Sequence, residues 1–226
     1  MATRNLGNTP SAQILPFPTN AARTEPSIVA VSPEFQGYCL LYAHHALSTD
    51  KLYALRILCW ARLDNGDDVA LVPWLDRVAR CSELNDAQTG LSQGYFDPIA
   101  EQRFDVMPAH HSAILDSLCP KQASSDNCVI QEIPDLIGSH AALLNEGHEF
   151  QLEPVVSWQL LAGGRLQAMI ADPEKITQHP VLPGDPCLYP ATEAEGLRYY
   201  FQYHIANQIK RGGEMTARAL HSLIKH

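Results

Sequence analysis

Two segments of the chain carry one pattern 98 residues apart: Trp60, Leu63, Gly66 and Ala70 recur as Trp158, Leu161, Gly164 and Ala168. Apolar character keeps step between these identities, with Ile57, Leu58, Leu71 and Val72 set against Val155, Val156, Met169 and Ile170. Each copy reads as a strand, a tight turn and a returning strand. A duplicated unit constrains architecture strongly, because two copies stack or pair to bury a face that neither buries alone. It is silent about chemistry.

The residues around these anchors predict the remaining elements. Residues 27–31 read as a short strand, and Ser32-Pro33-Glu34 as an N-cap with proline in the first turn of a helix to about Ala46, carrying Phe35, Tyr38, Leu41 and Tyr42. Residues 51–63 and 69–75 are predicted strands joined by Asp64-Asn65-Gly66-Asp67, where Asn-Gly suits a type I′ turn with positive φ at both central positions. The second copy repeats the order, with a helix over 134–145 and strands 149–161 and 165–171 around Gly163-Gly164. Residues 94–98 and 102–104 suggest a further hairpin, and 108–118 a helix. Thr192 and Glu195 supply a capping box for a helix that closes at Lys210-Arg211-Gly212, and a last helix is predicted over 214–224.

The expected fold is therefore α+β. Two pseudo-symmetric halves, 27–125 and 126–226, each comprise a helix plus an antiparallel β-hairpin followed by a helix, behind a disordered N-terminal arm over 1–26. Ser124-Ser125-Asp126-Asn127 marks the joint, and the two halves can pack as one domain.

A net charge of −9 disfavours non-specific binding to nucleic acid or to an anionic membrane, since both require a basic footprint. The chain has no apolar run of membrane-spanning length and begins with no basic-then-apolar leader, so the expectation is a cytoplasmic protein without a membrane partner. Its six cysteines are scattered without a C-x-x-C pair, a pattern that suits reduced, buried thiols.

Candidate chemistry is sparse. His44-His45 and His110-His111 invite a metal, but adjacent helical histidines point about 100° apart and neither pair has a ligand at i+3 or i+4, so no metal or cofactor is expected. Gln36-Gly37-Tyr38-Cys39 has the composition of a cysteine-nucleophile segment. Its Gln lies too near the Cys, and His140, His148 and His179, the available bases, stand in no recognisable context, so Cys39 reads as a core thiol. Gly163-Gly164 lacks the Lys-Ser/Thr of a phosphate loop, and Asp64, Asp67 and Asp68 lack the spacing of a calcium loop. Trp60 and Trp158 read as core residues.

No catalytic residue is assigned, and the functional expectation is a non-catalytic binding protein, a regulatory, inhibitory or immunity-type factor working through protein–protein contacts. The alternatives are a hydrolase using Cys and His groups in the cleft between the halves, and a nucleic-acid-associated factor using the basic C-terminal helices. Partner contact is expected at Trp74, which follows Pro73 at a strand end, at Lys210 and Arg211, and at Leu220, Leu223 and Ile224. The last three form an apolar stripe that also suits a homodimer.

Overall fold

The computed structural model describes residues 25–44, 51–85, 90–118, 125–211 and 215–216. One antiparallel sheet contains, in spatial order, β1 (Ile28–Pro33), β4 (Cys59–Leu63), β5 (Asp68–Trp74) and β6 (Arg77–Arg80). A second runs β15 (Met215–Thr216), β3 (Lys51–Arg56), β2 (Cys39–His44), β7 (Gly90–Asp97) and β8 (Gln102–Phe104). The third runs β13 (Leu188–Pro190), β12 (Leu166–Ala171), β11 (Phe150–Leu161), β10 (Ser139–Leu144) and β14 (Leu197–Gln202), and β9 (Val129–Pro134) also pairs with β11. Helices α1 (Ala109–Ser117) and α2 (Tyr203–Arg211) are the two α-helices among the described residues.

The α+β expectation of pseudo-symmetric helix-plus-hairpin halves is overturned, since the protein is 49% strand and 13% helical, built on three antiparallel sheets. Both helices expected ahead of the hairpins are strands, β2 and β10. Each is preceded by a glycine at positive φ, Gly37 at 82° and Gly138 at 72°, which no right-handed helix accommodates. Each is also paired on both sides, β2 with β3 and β7, β10 with β11 and β14, so backbone groups a helix would satisfy internally go to neighbours. The helix expected to open at Thr192 and Glu195 begins only at Tyr203, because Ala191–Glu193 is a short 3-10 turn and Leu197–Gln202 is β14. The helix expected from Glu214 is a strand at Met215–Thr216, and the rest of it, with Leu220, Leu223 and Ile224, lies outside the described residues. The arm over 1–24 lies outside them too, whereas the Pro26 carbonyl accepts from Arg80.

What recurs at the 98-residue offset is a strand register. Trp60 pairs with Ala70 and Trp158 with Ala168, and both hairpins close on a three-residue loop in which Leu63 N–H reaches Asp67 O (2.8 Å) and Leu161 N–H reaches Arg165 O (2.9 Å). Gly66 (φ 88°) and Gly164 (φ 77°) supply the left-handed residue of each loop. Asn65 does not take positive φ, so the turn is not the expected type I′. Strand order recurs as well: β1-β4-β5-β6 is matched by β9-β11-β12-β13, and β3-β2-β7 by β11-β10-β14. The long β11 takes the places of both β3 and β4, which are separated at Ile57-Leu58 where the chain crosses between sheets.

Two apolar cores result. One draws Val31, Leu58 and Leu71 from the first segment together with Ile133, Trp158, Leu160 and Ile170 from the second. The other gathers Tyr38, Leu40, Trp60, Val72 and Leu115, with Ile205 of α2 packed against it. Trp60 and Trp158 are both fully buried, as core residues.

Candidate functional site

A cleft of about 570 Å³ opens where the two segments meet α2. Its floor follows from register: Arg56 on β3, Cys39 on β2 and Phe96 on β7 are direct cross-strand neighbours, and residues opposite one another project to one side of a sheet. All three line the cleft. One wall is α2, whose His204 and Gln208 stand one turn apart and so share a helix face.

The mouth is formed by two turns with one plan. Pro33-Glu34-Phe35-Gln36-Gly37 joins β1 to β2, and Pro134-Asp135-Leu136-Ile137-Gly138 joins β9 to β10. In each, the acidic side chain folds back beneath the turn. Glu34 accepts from the Gln36 N–H and from the Trp60 indole. Asp135 accepts from the backbone N–H groups of Ile137 (3.1 Å), Gly138 (2.7 Å) and Ser139 (3.1 Å) and, through its other oxygen, from the Trp158 indole at 2.9 Å. The recurring tryptophans are thus the pins of two carboxylate-locked turns. Each lock holds the next residue outward, leaving Phe35 72% and Leu136 45% exposed at the cleft.

Behind the first turn lies a buried polar cluster. His111 of α1 stacks on Trp60 with ring centroids 4.3 Å apart and meets the edge of Tyr38 at 5.3 Å. Its Nε2 is 3.4 Å from Glu34 Oε2, and neither ring nitrogen makes a hydrogen bond among the described residues. Burial, with His110 beside it, lowers His111 to about 4, so the ring is neutral at pH 7. Burial, followed by the hydrogen bond to Asp97, pushes Tyr38 up to about 12.

The chemistry-bearing residues of the cleft are engaged in structure. Cys39 Sγ donates to Gly37 O at 3.4 Å, from a strand and not from the interior of the helix the sequence suggested. His204 is lowered to about 4 by burial and then by Arg56, against an opposing pull from Asp135, and its Nε2 faces the Arg56 backbone N–H at 3.5 Å. Gln208 takes both backbone groups of Ala54, accepting from its N–H at 2.7 Å and donating to its carbonyl at 2.9 Å. Cys39 and His204 therefore line one cleft, but the thiol is committed to a carbonyl and the imidazole to β3.

Of the residues expected to contact a partner, Trp74 ends β5 with its ring 5.3 Å from Tyr42, and it is not among the cleft residues. Lys210 and Arg211 close α2, and their side chains lie outside what the structure describes. The sequence reading missed Phe35 as a surface residue, along with Leu136 and Arg56. The recurring Pro-acid-x-x-Gly was the available signal, masked because Phe35 also fitted a helical apolar spacing. No protein-family model, curated protein or solved structure matches the chain.

Proposed function

We propose that this is a non-catalytic cytoplasmic binding protein, regulatory or inhibitory in role, that takes a protein partner in the cleft between its two segments. The observation that carries the reading is the pair of exposed apolar side chains, Phe35 and Leu136, held at the cleft by turns whose carboxylates are hydrogen-bonded to buried indoles. A large apolar side chain kept in water on a rigid turn loses little freedom when covered, which is what a binding anchor requires. The free thiols of Cys59, Cys81, Cys128 and Cys187 suit a reducing compartment. No described helix is long and apolar enough to cross a membrane. The hydrolase reading has less support, because it needs the Cys39 thiol and the His204 imidazole released from the contacts they make.

A photo-crosslinking amino acid at position 35, in cells that make the protein, tests the proposal. It should capture a discrete partner protein, whereas the same probe at Val106, 74% exposed and away from the cleft, should not. Leu136→Asp should cut the yield roughly tenfold, the cost of about 1.4 kcal/mol of lost apolar contact. Equal capture from both positions, or none from position 35, would overturn it.

A further inference from the structure

We infer that the partner element seated in this cleft is an acidic segment, in which a carboxylate side chain beside an apolar one pairs with Arg56. The inference rests on the binding reading and deepens it.

The first observation is a charge imbalance. Arg56 lines the cleft, is exposed, and makes no ion pair among the described residues. The two carboxylates beneath the mouth are turned away from that role: Glu34 is bound to an indole and a backbone N–H, and Asp135 to an indole and three backbone N–H groups. A chain of net charge −9 thus presents in this cleft a cation with no ion-pair partner among the described residues, framed by Phe35, Leu136, Phe96 and Pro98. Apolar walls exclude water and strengthen a charge pair formed beside them.

The second observation fixes the mode of binding. An extended peptide often adds a strand to an exposed sheet edge, and among the described residues β3 is such an edge beyond its short pairing with β15 at Leu52 and Lys51. Gln208 already holds both backbone groups of Ala54, and His204 faces the N–H of Arg56. With the edge occupied, a peptide is recognised through its side chains, a carboxylate for the guanidinium and apolar groups for the rim.

The full-length ¹⁵N-labelled protein, titrated with acetyl-Leu-Glu-Leu-amide and separately with acetyl-Leu-Gln-Leu-amide, tests this. The amide signals of Phe35, Arg56 and Leu136 should move with both peptides, and the glutamate peptide should bind about fivefold tighter at low salt. Arg56→Gln should abolish that preference and Arg56→Lys should keep part of it, with an unchanged spectrum elsewhere showing that both variants fold. Added salt should erase the difference between peptides. Equal affinity for the two peptides, a preference that survives in Arg56→Gln, or cleft signals that move with neither peptide would overturn the acidic-segment inference. Capture from position 35 reports separately on the binding reading, so a protein that cross-links there yet shows no acid preference binds by apolar contact alone.

Discussion

His111 sits in an environment that its side chain does not favour. It is 3% exposed, stacked on Trp60, with both ring nitrogens lacking a hydrogen bond among the described residues. Its value in the folded protein is about 4, against 6.5 in an unfolded chain, and the ordering sets the sign. Between those two pH values the unfolded chain takes up a proton that the folded chain refuses. Stability contributed by the neutral ring is therefore fully present above pH 6.5 and lost as pH falls towards 4, with a slope of up to about 1.4 kcal/mol per pH unit for each such group. His204 acts in the same direction over the same window. Urea midpoints measured between pH 7 and 4 should fall accordingly. His111→Phe, which preserves the stack on Trp60, should remove about half of that slope; a slope unchanged by the substitution would show that His111 does not carry it.

Among the elements, the most demanding joints are those where the segments touch edge to edge. β1 is an edge strand, and the Val31 N–H donates to Gln131 of β9 at 2.9 Å while the same amide donates back to the Val31 carbonyl. Gln208 treats Ala54 of β3 the same way. A glutamine amide presents one donor and one acceptor as a peptide unit does, so it satisfies an edge residue without extending the sheet and blunts its tendency to pair with another chain. The hairpin tips allow a controlled comparison. Gly66 and Gly164 occupy the same place in the same loop, but a Cβ on Gly66 meets nothing within 4 Å, whereas one on Gly164 comes within 2.8 Å of Ser27 Cβ and 2.9 Å of the Ile28 nitrogen. Alanine at either position incurs left-handed strain of about 1 kcal/mol. At Gly164 it also forces the second hairpin off the start of β1, so Gly164→Ala should lower stability by about 2 kcal/mol more than Gly66→Ala in equilibrium denaturation. Equal losses would mean that the contact between the loop and β1 gives way at little cost.

At the scale of the whole molecule, the shared core argues for one cooperative unit. Trp158 and Ile133 pack in the same cluster as Val31 and Leu71, and the Tyr200 N–H donates to the Leu75 carbonyl at 2.7 Å across the two segments. Separation would expose that cluster and leave the edges of β1 and β3 unsatisfied, a cost neither fragment can offset alone. Fragments 1–124 and 125–226, expressed apart, should show collapsed but poorly dispersed spectra, and the intact chain should melt in a single transition. A folded, dispersed spectrum from either fragment would establish separate domains.

How much of this was legible in the residues depended on how local the determining interactions are. The hairpins with Trp60 and Trp158 were readable because an apolar strand, a glycine turn and a returning strand specify one another within about 25 residues. Helix α1 and the β7–β8 hairpin were readable for the same reason. β2 and β10 were not: residues 38–42 are buried on both faces, so their apolar run has no period to distinguish strand from helix, and Ala141-Ala142-Leu143-Leu144 favours a helix by intrinsic propensity. Their state is decided by pairing on both edges, in each case including a partner strand more than 40 residues away, that takes up their backbone hydrogen bonds. The cleft is further still from local rules, since Arg56, Phe35, Leu136 and His204 come together only once β3, the two locked turns and α2 are assembled. The sequence alone determined that two copies of a tryptophan hairpin would form; which faces those copies buried, and which side chains they left in water, was decided by sheet pairing over long range, because backbone hydrogen bonds and apolar burial are satisfied jointly and only in the assembled fold.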